Sequence, residues 1–231
     1  MRVYRLSLLC LTALKLCSCA PEGDTAKTVP QREKKNASLT NTVSVPDSTT
    51  VTNDASNPYA GIPDNQPVIH RVRAGEPDGD GWCLAKSTRG NFSVMLPGQY
   101  MDSMLKMPTT KGGTGVMHTV ATKSPDGIEF NVLFSEIIGE MPDEDPLDGM
   151  TDRFKQLGAT MTRTNIVLAG LPAVRMKVLV QGTAAEIIHV DATNGYYMLA
   201  AQARPPQPDN PRLEADIERF LRSFKILNQE R

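Results

Sequence analysis

Ser124-Pro125-Asp126-Gly127 followed by Ile128-Glu129-Phe130-Asn131-Val132-Leu133-Phe134 is the stretch whose reading decides the fold. Ile128, Phe130, Val132 and Phe134 alternate with Glu129 and Asn131, the period of two that puts one face of a strand in a core and the other toward solvent. Pro125 presets φ, Asp126 can bond its own backbone, and Gly127 tolerates positive φ, so the four residues before the strand read as a tight turn. Val116 to Thr122 reads as the strand on the other side of that turn. A β-hairpin is therefore expected at 116–134.

Working outward, the period changes after residue 144. Asp145 is a suitable N-cap, Pro146 fits the first helical position, and Leu147, Met150, Phe154 and Leu157 recur at helical spacing up to Gly158. Asp148 adds negative charge in the first turn, where the helix dipole favours it. Four strands follow. Thr162, Thr164, Ile166 and Leu168 alternate up to Ala169-Gly170-Leu171-Pro172, and Val174, Met176, Val178 and Val180 alternate with Arg175 and Lys177. Ala184 to Val190 and Tyr196 to Ala203 flank Asn194-Gly195, the pair a type I′ hairpin turn favours. A second helix opens at Asn210-Pro211, with Leu213, Ile217, Phe220, Leu221 and Phe224 on one stripe and Glu218 and Arg222 four apart on the outer side. On the N-terminal side, Phe92, Val94 and Leu96 alternate with Ser93, Met95 and Pro97, a strand that ends at a Pro-Gly turn. Successive hairpins and two one-sided helices predict an α+β domain: an antiparallel sheet of about six to eight strands flanked by two helices.

Three segments carry a family resemblance: Phe92-Ser93-Val94-Met95-Leu96-Pro97, Leu168-Ala169-Gly170-Leu171-Pro172-Ala173, and Phe220-Leu221-Arg222-Ser223-Phe224. With them, the region from about Asn91 to Leu227 resembles the PsbP-like superfamily, which includes DcrB-like bacterial lipoproteins. The resemblance implies a PsbP-like sandwich that acts by binding proteins or assisting assembly, not as an enzyme. The family has no common site motif, so no functional residue carries over.

The N-terminus predicts where such a domain works. Arg2 and Arg5 precede a mostly apolar run from Leu6 to Leu16, interrupted by Lys15, which is long enough for an export signal and too short to span a bilayer. Leu16-Cys17-Ser18-Cys19 resembles the bacterial lipobox, with Leu16 and Ser18 as signal-peptidase recognition residues. The resemblance implies diacylglycerol on the Cys19 thiol, cleavage after Ser18, and an acyl chain on the new amino group. Such chains contribute about 0.8 kcal/mol per buried methylene. An ordinary secretory signal cleaved near Ala20 would instead leave Cys19 as a free thiol. The organisation expected is a signal peptide at 1–18, a lipidated, disordered tether at 19–80 rich in Thr, Ser, Asn, Asp and Pro, and the α+β domain at 81–231. The localisation expected is the cell membrane or outer membrane, with the domain facing the periplasm or exterior.

Cysteine and charge narrow the chemistry. Once Cys10 and Cys17 leave with the signal and Cys19 carries lipid, only Cys83 of the four cysteines remains, and a buried thiol is expected there. Loss of Arg2, Arg5 and Lys15 takes the 25 basic residues to 22 against 26 acidic ones, a net charge near −4 that offers no basic stripe for nucleic acid. No cofactor is expected beyond the covalent lipid, and the partners expected are the membrane and another envelope protein. The alternative is a Cu(I)-handling module: thioethers suit Cu(I), and Met101, Met104 and Met107 at MxxMxxM spacing, with Met117 and His118 after them, would converge on one ion in a helical or mobile segment. The bland reading of the same methionines is core gap-filling. His118 and His189 fall on predicted strands, His70 falls in the tether, and Asp78-Gly79-Asp80-Gly81 reads as a flexible junction. The acidic run Glu140, Asp143, Glu144, Asp145, Asp148 and Asp152 fails the EF-hand spacing and reads as helix capping and solvation.

Overall fold

The computed structural model describes residues 59, 61–70, 75–87, 89–108, 114–138, 145–193, 195–203 and 211–227. Leu16, Ser18 and Cys19 lie outside them. The chain divides into two units. Of the unit Cys19–Ile62, the described part is a turn in which the Ile62 amide donates to the Tyr59 carbonyl at 3.2 Å. The described elements belong to the other unit and run β1 (Pro67–His70), β2 (Trp82–Lys86), β3 (Phe92–Pro97), β4 (Met101–Pro108), β5 (Thr114–Lys123), β6 (Glu129–Ile138), α1 (Pro146–Gln156), β7 (Thr160–Leu168), β8 (Leu171–Val180), β9 (Thr183–Ala192), β10 (Gly195–Ala203), α2 (Pro211–Ser223) and β11 (Lys225–Ile226).

Eight strands form one antiparallel sheet in the order β1-β4-β5-β6-β10-β9-β8-β7, and three form a second in the order β11-β3-β2. The hairpin at 116–134 stands near the centre of the large sheet, with Val120 opposite Val132 and Ser124 accepting the Gly127 amide at 2.9 Å across the turn. Two-residue turns at Ala169-Gly170 and Gln181-Gly182, with positive φ at all four residues, fold β7, β8 and β9 into consecutive hairpins. Gly195 is required for another reason. A Cβ there would stand 1.8 Å from the Ser135 carbonyl oxygen on the adjoining strand.

Both faces of the large sheet are covered. One carries the small sheet and α2, and buries Val120, Phe130, Val132, Ile188, Tyr197 and Leu199 against Trp82, Phe92, Leu96, Phe220 and Phe224. The other carries α1, and buries Met117, Leu133, Met176, Ile187 and Met198 against Leu147 and Phe154. Asp145 caps α1 as expected, its side chain accepting the Leu147 amide at 2.8 Å, with Pro146 in the first turn. Glu218 and Arg222 pair at 3.3 Å on α2. Ser223 ties the end of α2 to the small sheet, accepting the Met95 amide at 2.8 Å while donating to the Phe220 carbonyl.

The structure corrects the sequence reading in several places. The sheet begins at Pro67 rather than after residue 80, because β1 is an edge strand held by pairing with β4. Its side chains are half-buried or exposed, so no hydrophobic alternation announces it. Phe92–Pro97 belongs to a second sheet, not to the large one. The face expected toward solvent at Glu129 and Asn131 is buried, with Gln202 of β10 donating to the Glu129 carboxylate. Asp78-Gly79-Asp80-Gly81 is an ordered bracket: Asp78 Oδ1 accepts the Asp80 and Trp82 amides, both at 3.0 Å, and Arg219 of α2 bonds both aspartates while lying 4.7 Å over the Trp82 ring. Cys83 is buried, as expected.

Phe130 is fully enclosed where the two sheets and α2 meet, so Phe130→Ala should lower unfolding free energy by about 3–5 kcal/mol. Val167→Ala, at a position 74% exposed, should change it by less than about 0.5 kcal/mol. Urea denaturation followed by Trp82 fluorescence measures both.

Candidate binding groove

A concave feature among the described residues arises from small residues in a row. On the face shared with α2, β9 and β10 present Ala184, Ala201 and Ala203 where neighbouring positions carry Ile188 and Leu199. Leu213 and Ile217 of α2 overhang this floor, Leu179 and Thr160 wall the other side, and Lys177 and Glu186 stand at its end. The result is a groove of about 390 Å³. That is within the range of sites for a small ligand or one inserted side chain. It reaches the edge of the large sheet, since Thr160, Met161 and Thr162 of β7 line it.

Four of the charges at or beside the groove contact one another. Arg175, paired opposite Ile188 on β9, holds both Glu186 of β9 and Glu218 of α2, and Arg222 adds a second contact to Glu218. Burial pushes the Glu186 carboxyl up, against the opposing Arg175 charge. The hydrogen bond from Arg175 holds Glu218 below the usual carboxylate range. Burial works against the charged Arg175 guanidinium, and its bonds to the two glutamates outweigh that, leaving it still more firmly protonated. The Arg175–Glu186 contact is close but poorly aligned, for Glu186 Oε1 and Arg175 Nε have no hydrogen-bond partner. The triad thus pins α2 to β8 and β9 beside the groove.

Two histidines are buried on opposite faces. His118 packs parallel to Phe134, with Nε2 3.8 Å from Glu136, and His189 lies against Tyr196 with Nδ1 3.6 Å from Asp191. Burial holds both imidazoles below their ordinary value, against the pull of Glu136 and Asp102 on the first and of Asp191 and Asp145 on the second.

The Cu(I) set does not converge. Residues 101–108 form a strand, so the spacing of three sends successive methionines to opposite faces. The register places Met104 opposite His118 on one face, with Met101, Met107 and Met117 on the other. Met107 and Met117 are core residues beneath α1. His70 is not in a tether but on β1, opposite Asp102. Of the acidic run, 140–144 lie outside the described residues, Asp145 caps α1, and Asp148 and Asp152 are exposed on it. The sequence reading missed the groove and the Arg175 triad; the one available signal was the cluster of alanines in β9 and β10, where other strand positions are large.

A scan of family models and a search of curated proteins each return no match. Among solved structures, the chain is similar to the crystal structure of LpqN, described as involved in cell envelope biogenesis of Mycobacterium tuberculosis. The identity is 13% and the TM-score 0.30, over 71% of this chain and 86% of that one. A superposition at that level carries no argument about function. Among the described residues, no helix is long and apolar enough to cross a membrane.

Two expectations follow from the electrostatics. With folded-state values below the ordinary 6.5, His118 and His189 bind fewer protons folded than unfolded. Stability is therefore full above about pH 6.5 and falls below it, by up to about 1.4 kcal/mol per pH unit for each histidine. Urea midpoints at pH 7.5, 6 and 5 should show this fall, and the double variant His118→Gln/His189→Gln should flatten it. Arg175→Met, which leaves Glu186 buried without its partner, should cost about 3 kcal/mol or more, and adding Glu186→Gln should recover part of that loss.

Proposed function

We propose that this chain is a lipid-anchored protein of the cell envelope whose α+β domain, PsbP-like in architecture, binds another protein and catalyses no reaction. The observation that carries the binding half is the groove, an apolar surface left open beside α2 while Arg175, Glu186 and Glu218 around it are bound to one another. A catalytic site needs polar groups free to engage a substrate. The triad instead spends its charges holding the groove's walls together. The anchoring half rests on Leu16-Cys17-Ser18-Cys19 in the sequence. In this reading Cys19 bears the lipid that holds the domain at the membrane.

Cys19→Ser should abolish incorporation of radiolabelled fatty acid and move the protein from the membrane to the soluble fraction. Retained label in this variant would refute the anchor. For the binding half, a photocrosslinker placed at Leu213 in the lipidated protein in cells should give discrete adducts that disappear with Ala203→Phe, which fills the groove. Adducts unaffected by that filling would place partner contact elsewhere.

A further inference from the structure

β7 is the outer strand of the large sheet, and no described strand pairs with its far edge. It runs nine residues, Thr160–Leu168, without proline or a break in its register with β8. Sheet edges of this length are ordinarily blunted by proline, bulges, inward charges or a covering loop, because their unpaired backbone groups accept another strand. The opposite edge, β1, has four residues.

The pairing identifies the groups on offer. The two-residue turn at Ala169-Gly170 makes Leu168 and Leu171 a hydrogen-bonded pair, so Thr160, Thr162, Thr164, Ile166 and Leu168 direct their backbone groups toward β8. Met161, Arg163, Asn165 and Val167 then direct theirs outward, and no hydrogen bond to a described residue meets them. Val167 is 74% exposed. Charge is one-sided along this edge. Arg163 lies on the α1 face with only a loose 3.6 Å contact to exposed Asp148, and Lys177 lies on the groove face opposite Thr162. The groove itself begins at Thr160, Met161 and Thr162, so it adjoins the edge directly.

We propose that β7 is a strand-addition site for an extended segment of a partner protein in which apolar and acidic residues alternate. The segment's backbone bonds the outward groups of Met161, Arg163, Asn165 and Val167. Its apolar side chains fall on the groove face, and its acidic ones fall beside Arg163. A row of alternating donors and acceptors is matched by another extended backbone, while the pockets and charges flanking it select the side chains. This rests on the reading that the domain binds a protein, and adds how.

The test uses a synthetic seven-residue peptide alternating glutamate and valine, titrated into the purified mature chain and followed by backbone amide NMR. Shifts should be largest at 161, 163, 165 and 167. Asn165→Pro removes one outward donor and is tolerated at an edge because that N–H makes no ladder bond, so it should keep the dispersed spectrum and weaken binding about tenfold or more. Arg163→Glu leaves the backbone intact and should weaken the acidic peptide while favouring one with lysine in place of glutamate. No shift along β7, or equal binding by both variants, overturns the proposal. So does a concentration-dependent dimer, seen by sedimentation, that excludes the peptide, since the edge would then belong to a second copy. Groove-dependent crosslinks in cells together with failed strand addition would leave protein binding standing and remove only this mode.

Discussion

Phe130 joins the layers of this domain. Its ring meets Trp82 of the small sheet edge-on at 5.8 Å and Phe220 of α2 at 5.1 Å, while its backbone is a rung of the central β5–β6–β10 pairing. A second ring cluster fills the same face: Tyr197 stacks on Phe134 at 4.6 Å and meets Phe224, which leans on Phe92. Arg219 covers the outside of the cluster, lying over Trp82 and bonded to Asp78 and Asp80. The chain before β2 and the C-terminal helix, distant in sequence, are thereby fastened at one place. Asp78 is held below its ordinary value chiefly by the Trp82 amide, so this bracket is intact above about pH 4 and loosens only as the pH falls through the lowered value.

The position of α2 also creates the groove. The helix is fixed at its C-terminal end by Phe220, Leu221, Phe224 and the Ser223 bond to β3, and at its middle by Glu218 on Arg175. Its earlier residues Leu213 and Ile217 then pass over alanines in β9 and β10 that are too short to fill the space beneath them. A two-sided sheet is costly in apolar residues. The central strands meet that demand on both faces, and the last strands β7 and β8 are left partly open on the α2 side. The groove is a consequence of this uneven cover.

Much of the fold was legible. The hairpin at 116–134, the four strands from Thr160 to Ala203 and both helices could be read from alternation, turn residues and caps, since each depends on neighbours close in sequence. The failures have a common cause. β1 is held through its backbone, β11 has two residues, and the assignment of β3 to a separate sheet depends on β2 and β11 rather than on its own pattern. Met101, Met104 and Met107 would converge only in a helical or mobile segment; pairing with β5 makes the segment a strand and disperses them.

By itself the sequence determined the local elements and the antiparallel class, because turn geometry and side-chain period act over a few residues. It also contains the lipobox-like Leu16-Cys17-Ser18-Cys19 on which the proposed location rests. Tertiary structure alone decided that there are two sheets, that Glu129 and Asn131 are buried, that Arg175 gathers Glu186 and Glu218, and that alanines far apart in the chain form one floor under α2. Those outcomes depend on which surfaces meet. Meeting is a property of long-range packing, which no short window of residues encodes.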